Sequence, residues 1–268
     1  MTANCGTTIF GITTKDGITI GADSMARHPD GQMESFRKLH VVGDSVIACE
    51  GLGILNLPEK TEGSDSVLYR ADQWMAEIEA DPRIELNANA MTIVNFIETT
   101  HPFIELIRRE EIIREFYKFQ CDSKKGYLAD FLVASAFHEE MLVIRKRIRM
   151  TLTSHTNGPE WNIVFDGTTY PDRDSPINPF IRYGAGKMGQ IDKAFSGDGD
   201  CYHKMFVLTN GSFSKLRDGG KVSLDELRNT VRSAISLEAK ANPKQVGPPF
   251  VVATLQPGKP VSVTSYSE

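Results

Sequence analysis

The chain opens on alternating, β-branched residues. Thr8-Ile9-Phe10-Gly11-Ile12-Thr13-Thr14 predicts a strand, because branched side chains suit a pleated, half-buried surface. Lys15-Asp16-Gly17 predicts a turn, and Gly17–Ala22 the return strand of a hairpin. A loop is expected around Pro29-Asp30-Gly31. Leu39–Val42 and Val46–Cys49 predict a second hairpin about Gly43-Asp44, so the first fifty residues read as antiparallel β.

The period then becomes helical. Ser64 or Asp65 is expected to cap a helix reaching about Glu79, with Val67, Leu68, Ala71, Trp74, Met75 and Ile78 on one stripe. A helical region is predicted over Ala90–Phe119, divided at Pro102, with Thr99 or Thr100 capping the second piece. Strands return at Phe131–Phe137 and Met141–Lys146, joined by His138-Glu139-Glu140. Thr151–Asp174 reads poorly, with one strand expected at Trp161–Phe165. Ile181–Tyr183 predicts a strand entering a Gly-rich turn, and Lys187–Phe195 a helix. Ser223-Leu224-Asp225-Glu226 is a capping box. It starts a helix whose apolar face is Leu224, Leu227, Val231, Ile235 and Leu237, ended by Pro243. Phe250–Leu255 and Val261–Thr264 are the closing strands. Strands, helices, strands, helices, strands is the order of an α+β fold rather than of alternating βα units.

Composition narrows the function classes. The 268 residues are 40% hydrophobic and 24% charged, as in ordinary globular proteins, and no Pro/Gly/Ser-rich linker divides them. A net charge of −5 argues against nucleic acid or an anionic membrane as the main partner. The Arg145-Lys146-Arg147-Ile148-Arg149 run reads as a solvated strand face or loop. Cys5, Cys49, Cys121 and Cys201 form no CxxC pair, which suits a reducing compartment. The six histidines show no metal-binding spacing, so neither metal nor other cofactor is expected. No apolar run approaches ~20 residues and no signal peptide is visible, so a cytoplasmic location is expected.

The candidate chemistry lies near the start. Thr7 follows Gly6; Asp23 lies sixteen residues further on, and Lys38 fifteen beyond that. A threonine hydroxyl needs an adjacent base, and a chain that begins at the threonine supplies its own free amine. That amine has a reference pKa of ~7.7–8.0, so part of it is neutral near pH 7. A Lys38 ammonium beside it would lower that value further, and Asp23 would hold Lys38 in place. The scheme requires the chain to cut itself after Gly6, whose missing side chain leaves the approach of the hydroxyl open.

Thr7-Thr8-Ile9, the strand Gly17–Asp23 and the run Arg37-Lys38-Leu39-His40-Val41-Val42 resemble the start of a proteasome β-type subunit. That family includes the peptidase of the bacterial two-component protease and belongs to the N-terminal nucleophile (Ntn) hydrolases. The resemblance covers residues 6–51 in order, spacing and strand context, and beyond them is patchy. It implies a four-layer αββα sandwich with two antiparallel sheets between helix layers. Residues 1–6 would be a propeptide and 7–268 a single domain, with inserts near 55–127 and 145–178. It further implies a threonine peptidase acting on polypeptide, assembled as a homo-oligomeric ring, with an ATP-dependent unfoldase as a candidate partner. The oxyanion N–H falls on Cys49 by straight alignment or on Gly51 by a two-residue shift. The substrate pocket falls on Ala26 and Ile47, which favours cleavage after apolar residues. Two supporting positions depart from the family: Ala185 stands in the Gly184-Ala185-Gly186 turn where a serine is usual, and Asn242 stands where an acidic residue is usual. Two alternatives therefore stay open, a non-catalytic ring subunit that keeps its N-terminal segment and a small-molecule Ntn amidohydrolase.

Overall fold

The computed structural model describes residues 2–5, 9–14, 16–27, 32–57, 67–85, 89–100, 125–137, 140–155, 158–170, 180–183, 223–241, 243 and 246–267. The first strands are β1 (Thr2–Cys5), β2 (Ile9–Thr14), β3 (Gly17–Ala22), β4 (Met25–Arg27), β5 (Met33–Ser35), β6 (Leu39–Val42), β7 (Ser45–Leu57) and β8 (Val67–Arg70). Helices α1 (Ala71–Ala80), α2 (Pro82–Glu85) and α3 (Ala90–Thr100) follow. After them come β9 (Lys125–Phe137), β10 (Glu140–His155), β11 (Gly158–Tyr170) and β12 (Phe180–Tyr183). The chain then forms α4 (Leu224–Ala241), β13 (Phe250–Gln256) and β14 (Lys259–Tyr266).

These strands build two antiparallel sheets. Among the described residues one has five strands in the order β12-β2-β3-β13-β14; the other has nine, on the path β11-β10-β9-β7-β1-β4-β5, with β6 and β8 also paired to β7. One core lies between the sheets, where Ile9, Ile18, Ile20, Ala253 and Leu255 meet Leu39, Val46, Ala48, Leu132 and Ala134. A second lies between the small sheet and α4, where Leu227, Val231, Ala234 and Ile235 meet Phe250 and Val252. Strand β3 therefore has both faces buried, which explains why Gly17–Ala22 lacks polar alternation. Across the large sheet, Trp74 of α1 packs edge-on against Phe131 of β9, with ring centroids 5.6 Å apart.

The local signals hold where they are self-contained. The Ser223 box closes reciprocally: the Ser223 N–H donates to Glu226 Oε2 at 2.9 Å, and the Glu226 N–H to Ser223 Oγ at 3.2 Å. Gly43 takes φ 55° in the turn between β6 and β7, a conformation that suits glycine.

Other expectations need correction. Val67 and Leu68 belong to strand β8, not to a helical stripe, and the helix begins only at Ala71. Pairing of Val67 with Leu57 and of Arg70 with Ile54 overrides the local pattern, and Arg70 stands at the N-cap without a side-chain cap bond. Ser64 and Asp65 lie outside the described residues. Thr99 and Thr100 instead donate back to Asn95 and Phe96 carbonyls within α3; the piece expected beyond Pro102 lies outside the described residues, as do Lys187–Phe195. Strands β7, β9, β10 and β11 run well past their expected ends. The basic run lies in β10, where Lys146 pairs with Glu98 of α3 rather than standing wholly in solvent. Among the described residues, no helix is long and apolar enough to cross a membrane.

Helix α4 approaches β3 closely at Gly21. A Cβ there would meet Val231 Cγ1 and Ile235 Cδ1 at 2.7 Å each. Gly21→Ala is therefore expected to lower stability by about 1–3 kcal/mol through overpacking. Urea unfolding will test this, and a midpoint equal to wild type would contradict the close contact.

Candidate active site

Strand β3 of the small sheet ends at Ala22, and β6 of the large sheet begins at Leu39. The segments adjoining those ends are stitched by backbone bonds. The Phe36 N–H donates to the Ser24 carbonyl at 3.0 Å, the Ser24 N–H to the Gly247 carbonyl at 3.2 Å, and the Cys49 N–H to the Lys38 carbonyl at 2.9 Å. This frame brings Asp23 and Lys38 together. Lys38 Nζ donates to Asp23 Oδ1 at 2.8 Å and Oδ2 at 2.9 Å, and both side chains are 0% exposed. The Met25 N–H adds a bond to Asp23 Oδ2 at 3.2 Å. Taking two charges out of water is expensive, and a buried pair commonly adds little net stability. What it supplies is an ammonium fixed in position and orientation.

Thr7, Gly6, Ala185 and Asn242 lie outside the described residues. The chain on either side of Thr7 is placed. Cys5 pairs with Gly51, and Ile9 pairs with Ala22, the neighbour of Asp23. Strand β1 itself went unread in the sequence. It lies between β7 and β4, with Asn4 opposite both Leu52 and Arg27. Thr2-Ala3-Asn4-Cys5 carries no strand signal; only its remote partners make it one.

The two oxyanion candidates separate. The Cys49 N–H is committed to the Lys38 carbonyl. Gly51, two residues along the same strand, presents its N–H to the same edge, which at that point faces β1. Cys49 itself is buried and is not part of a disulfide. Ala26 and Ile47 are both fully buried, and Ile47 is paired to His40 and Val133. An open cavity of about 310 Å³ lies nearby, lined by Ser24, Ser35, Arg37, Leu39, Val41 and Val251 among others; neither Ala26 nor Ile47 lines it. Among the described residues no group of three His, Cys, Asp or Glu side chains is arranged to hold a metal.

His40 is buried below α1. Its Nδ1 lies 3.1 Å from Glu79 Oε2 and its Nε2 3.1 Å from the Arg37 carbonyl, while Arg37 pairs with Glu79 at 3.0 Å. Burial, then the Arg37 guanidinium, hold its pKa below the ordinary value despite the two acceptors. Above about pH 6.5 the ring is neutral in both folded and unfolded chains. Below that, the unfolded chain takes up a proton that the fold resists, so stability falls as pH drops from about 6.5 through the folded value. Between pH 7.5 and 5, wild type should lose up to about 2 kcal/mol more than His40→Gln in urea unfolding. Parallel losses would remove this role.

The Asp23–Lys38 pair makes a second prediction. Asp23→Leu leaves an ammonium buried without its counter-charge and should cost about 3–5 kcal/mol, whereas Asp23→Leu with Lys38→Met should recover most of the loss. Guanidinium unfolding of the three proteins is the measurement; a double variant no more stable than the single would contradict the burial of both charges. No family model matches this chain and no curated protein matches it.

Proposed function

We propose that this chain is a proteasome-like threonine peptidase of the Ntn class, with Thr7 as its nucleophile. The observation that carries the proposal is the fully buried Asp23–Lys38 pair at the end of β3, one residue past the partner of Ile9. In the reaction, Thr7 Oγ adds to a peptide carbonyl and its proton passes to the Thr7 amine. Collapse of the tetrahedral intermediate breaks the C–N bond, and the leaving amine takes that proton. Water, activated by the same amine, then hydrolyses the ester. Lys38 keeps the amine's pKa low enough for it to act as a base near pH 7, and Asp23 keeps Lys38 in place. Gly51 is the better candidate for the oxyanion donor: the Cys49 N–H is bonded to the Lys38 carbonyl, whereas the Gly51 edge faces β1, the strand that the proposed cut would release.

The pairing of β1 supports the same reading. The residues before the proposed cut lie as a strand between β4 and β7, as a substrate would. The core between the sheets, with α4 against one sheet and α1 against the other, supports the four-layer αββα arrangement. Ring assembly and an unfoldase partner rest on the resemblance alone. A second reading, a ring subunit that keeps its N-terminal segment, is favoured by one observation: β1 is an integral strand of the large sheet.

Intact mass separates the two. Purified wild type is expected to lose residues 1–6, and Thr7→Ala to keep them. Retention in both would leave the peptidase without its nucleophile and favour the structural subunit. In the processed protein, Lys38→Ala should lower peptide hydrolysis at least about 100-fold, the scale of a general base made ineffective.

A further inference from the structure

The β4–β5 hairpin has a weak attachment. Among the described residues its backbone pairing reaches the rest of the large sheet only through β1: β4 pairs with β1 and β5, and β5 with β4. Asp23 stands just before β4 and Lys38 shortly after β5, so their contact closes the hairpin at its base. Release of residues 1–6 would remove that strand and leave the hairpin to its side chains.

One side chain grips it from outside. Arg70 ends β8 and is 18% exposed. Its Nε and Nη2 donate to Asp72 Oδ1 and Oδ2 at 3.1 and 3.0 Å, a two-pronged bond that orients the guanidinium. So oriented, Nη1 lies 2.9 Å from Glu34 Oε1 in β5, an ion pair. The guanidinium carbon also lies 5.8 Å from the centre of the Phe36 ring. Phe36 is buried, and its N–H bonds the Ser24 carbonyl beside Asp23. The path from Arg70 to the ion pair is therefore short: through Glu34 and Phe36 to the two residues flanking the base of the hairpin.

We propose that Arg70 is a positioning residue for Lys38, holding the β4–β5 hairpin and its ammonium in register once β1 has left the sheet. The catalytic part of this role rests on the peptidase reading; the grip on the hairpin does not. A lysine at this position would keep the charge but lose the fork that satisfies Asp72 while facing Glu34.

Hydrogen exchange in the full chain, with Thr7→Ala in every protein compared so that residues 1–6 stay attached, tests the grip without any activity. Asn4→Pro weakens β1, a strand inside the sheet with Asn4 opposite Arg27 and Leu52, by removing a backbone donor and fixing φ. Arg70→Met removes the clamp and keeps much of the apolar stem. Amides of Met25–Arg27 and Met33–Phe36 should exchange at least about tenfold faster in the combined variant than the product of the two single effects. Glu34→Gln, which cuts the ion pair and leaves α1 untouched, should give the same excess with Asn4→Pro. Amides of β3 and α4 report whether the fold is intact. Exchange equal to the product of the single effects, with either clamp variant, would overturn the proposal. Peptide hydrolysis by the processed protein then tests the positioning itself. Arg70→Met should move the acid limb of the pH profile up by about one unit, because a displaced ammonium no longer lowers the amine's pKa. An unmoved limb would reduce Arg70 to a structural tie. A wild type that hydrolyses no peptide, with the exchange coupling intact, would overturn the peptidase reading and with it the positioning role.

Discussion

Asp23 and Lys38 carry opposite charges with no exposed surface, and they join the end of a strand in one sheet to the start of a strand in the other. Their desolvation has to be offset by their mutual attraction and by the Met25 N–H. Two apolar residues of similar size would fill the same space at lower risk. The surrounding backbone is organised around the pair: the bonds at Ser24, Phe36 and Cys49 hold the segments that carry it, while Gly51, further along β7, is paired with Cys5 of β1. A pair so held is one that the proposed function would use.

Strand β7 is the other organising element. Along one edge it pairs with β6 and then with β1; along the other it pairs with β9 and then with β8. One thirteen-residue strand thus positions Lys38 through Cys49, receives the N-terminal segment through Gly51, and anchors the strand that ends in Arg70. The sequence marks only its first part, Val46–Cys49, because beyond it glycines break the alternation.

What could be read in the sequence was local. The hairpin of β2 and β3, the turn at Gly43 and the capping box at Ser223 each specify themselves within a few residues. Asp23 and Lys38 were legible because their spacing from Thr7 was fixed by two hairpins that could also be read. Val67 and Leu68 misled because a short apolar run fits a helix stripe and a strand equally well, and only the far end of β7 decides between them. Strands β1, β4 and β5 are too short to show a period, and their pairing is set by partners elsewhere in the chain. Ala26 and Ile47 were placed by alignment, which numbers a position without showing its packing; in the structure both are fully buried.

Strand β3 pairs on one side with its neighbour β2 and on the other with β13, which lies almost at the opposite end of the chain. During synthesis the hairpin of β2 and β3 emerges early, with Ile18 and Ile20 on one face and an unpaired edge waiting for Val251–Leu255. At typical elongation rates of ~5–20 residues per second, that wait lasts about ten seconds or more. A nascent chain of this protein therefore carries an open strand edge, with Ile18 and Ile20 beside it, until Val251–Leu255 has been made, a natural target for a holding chaperone and for mispairing when none is at hand.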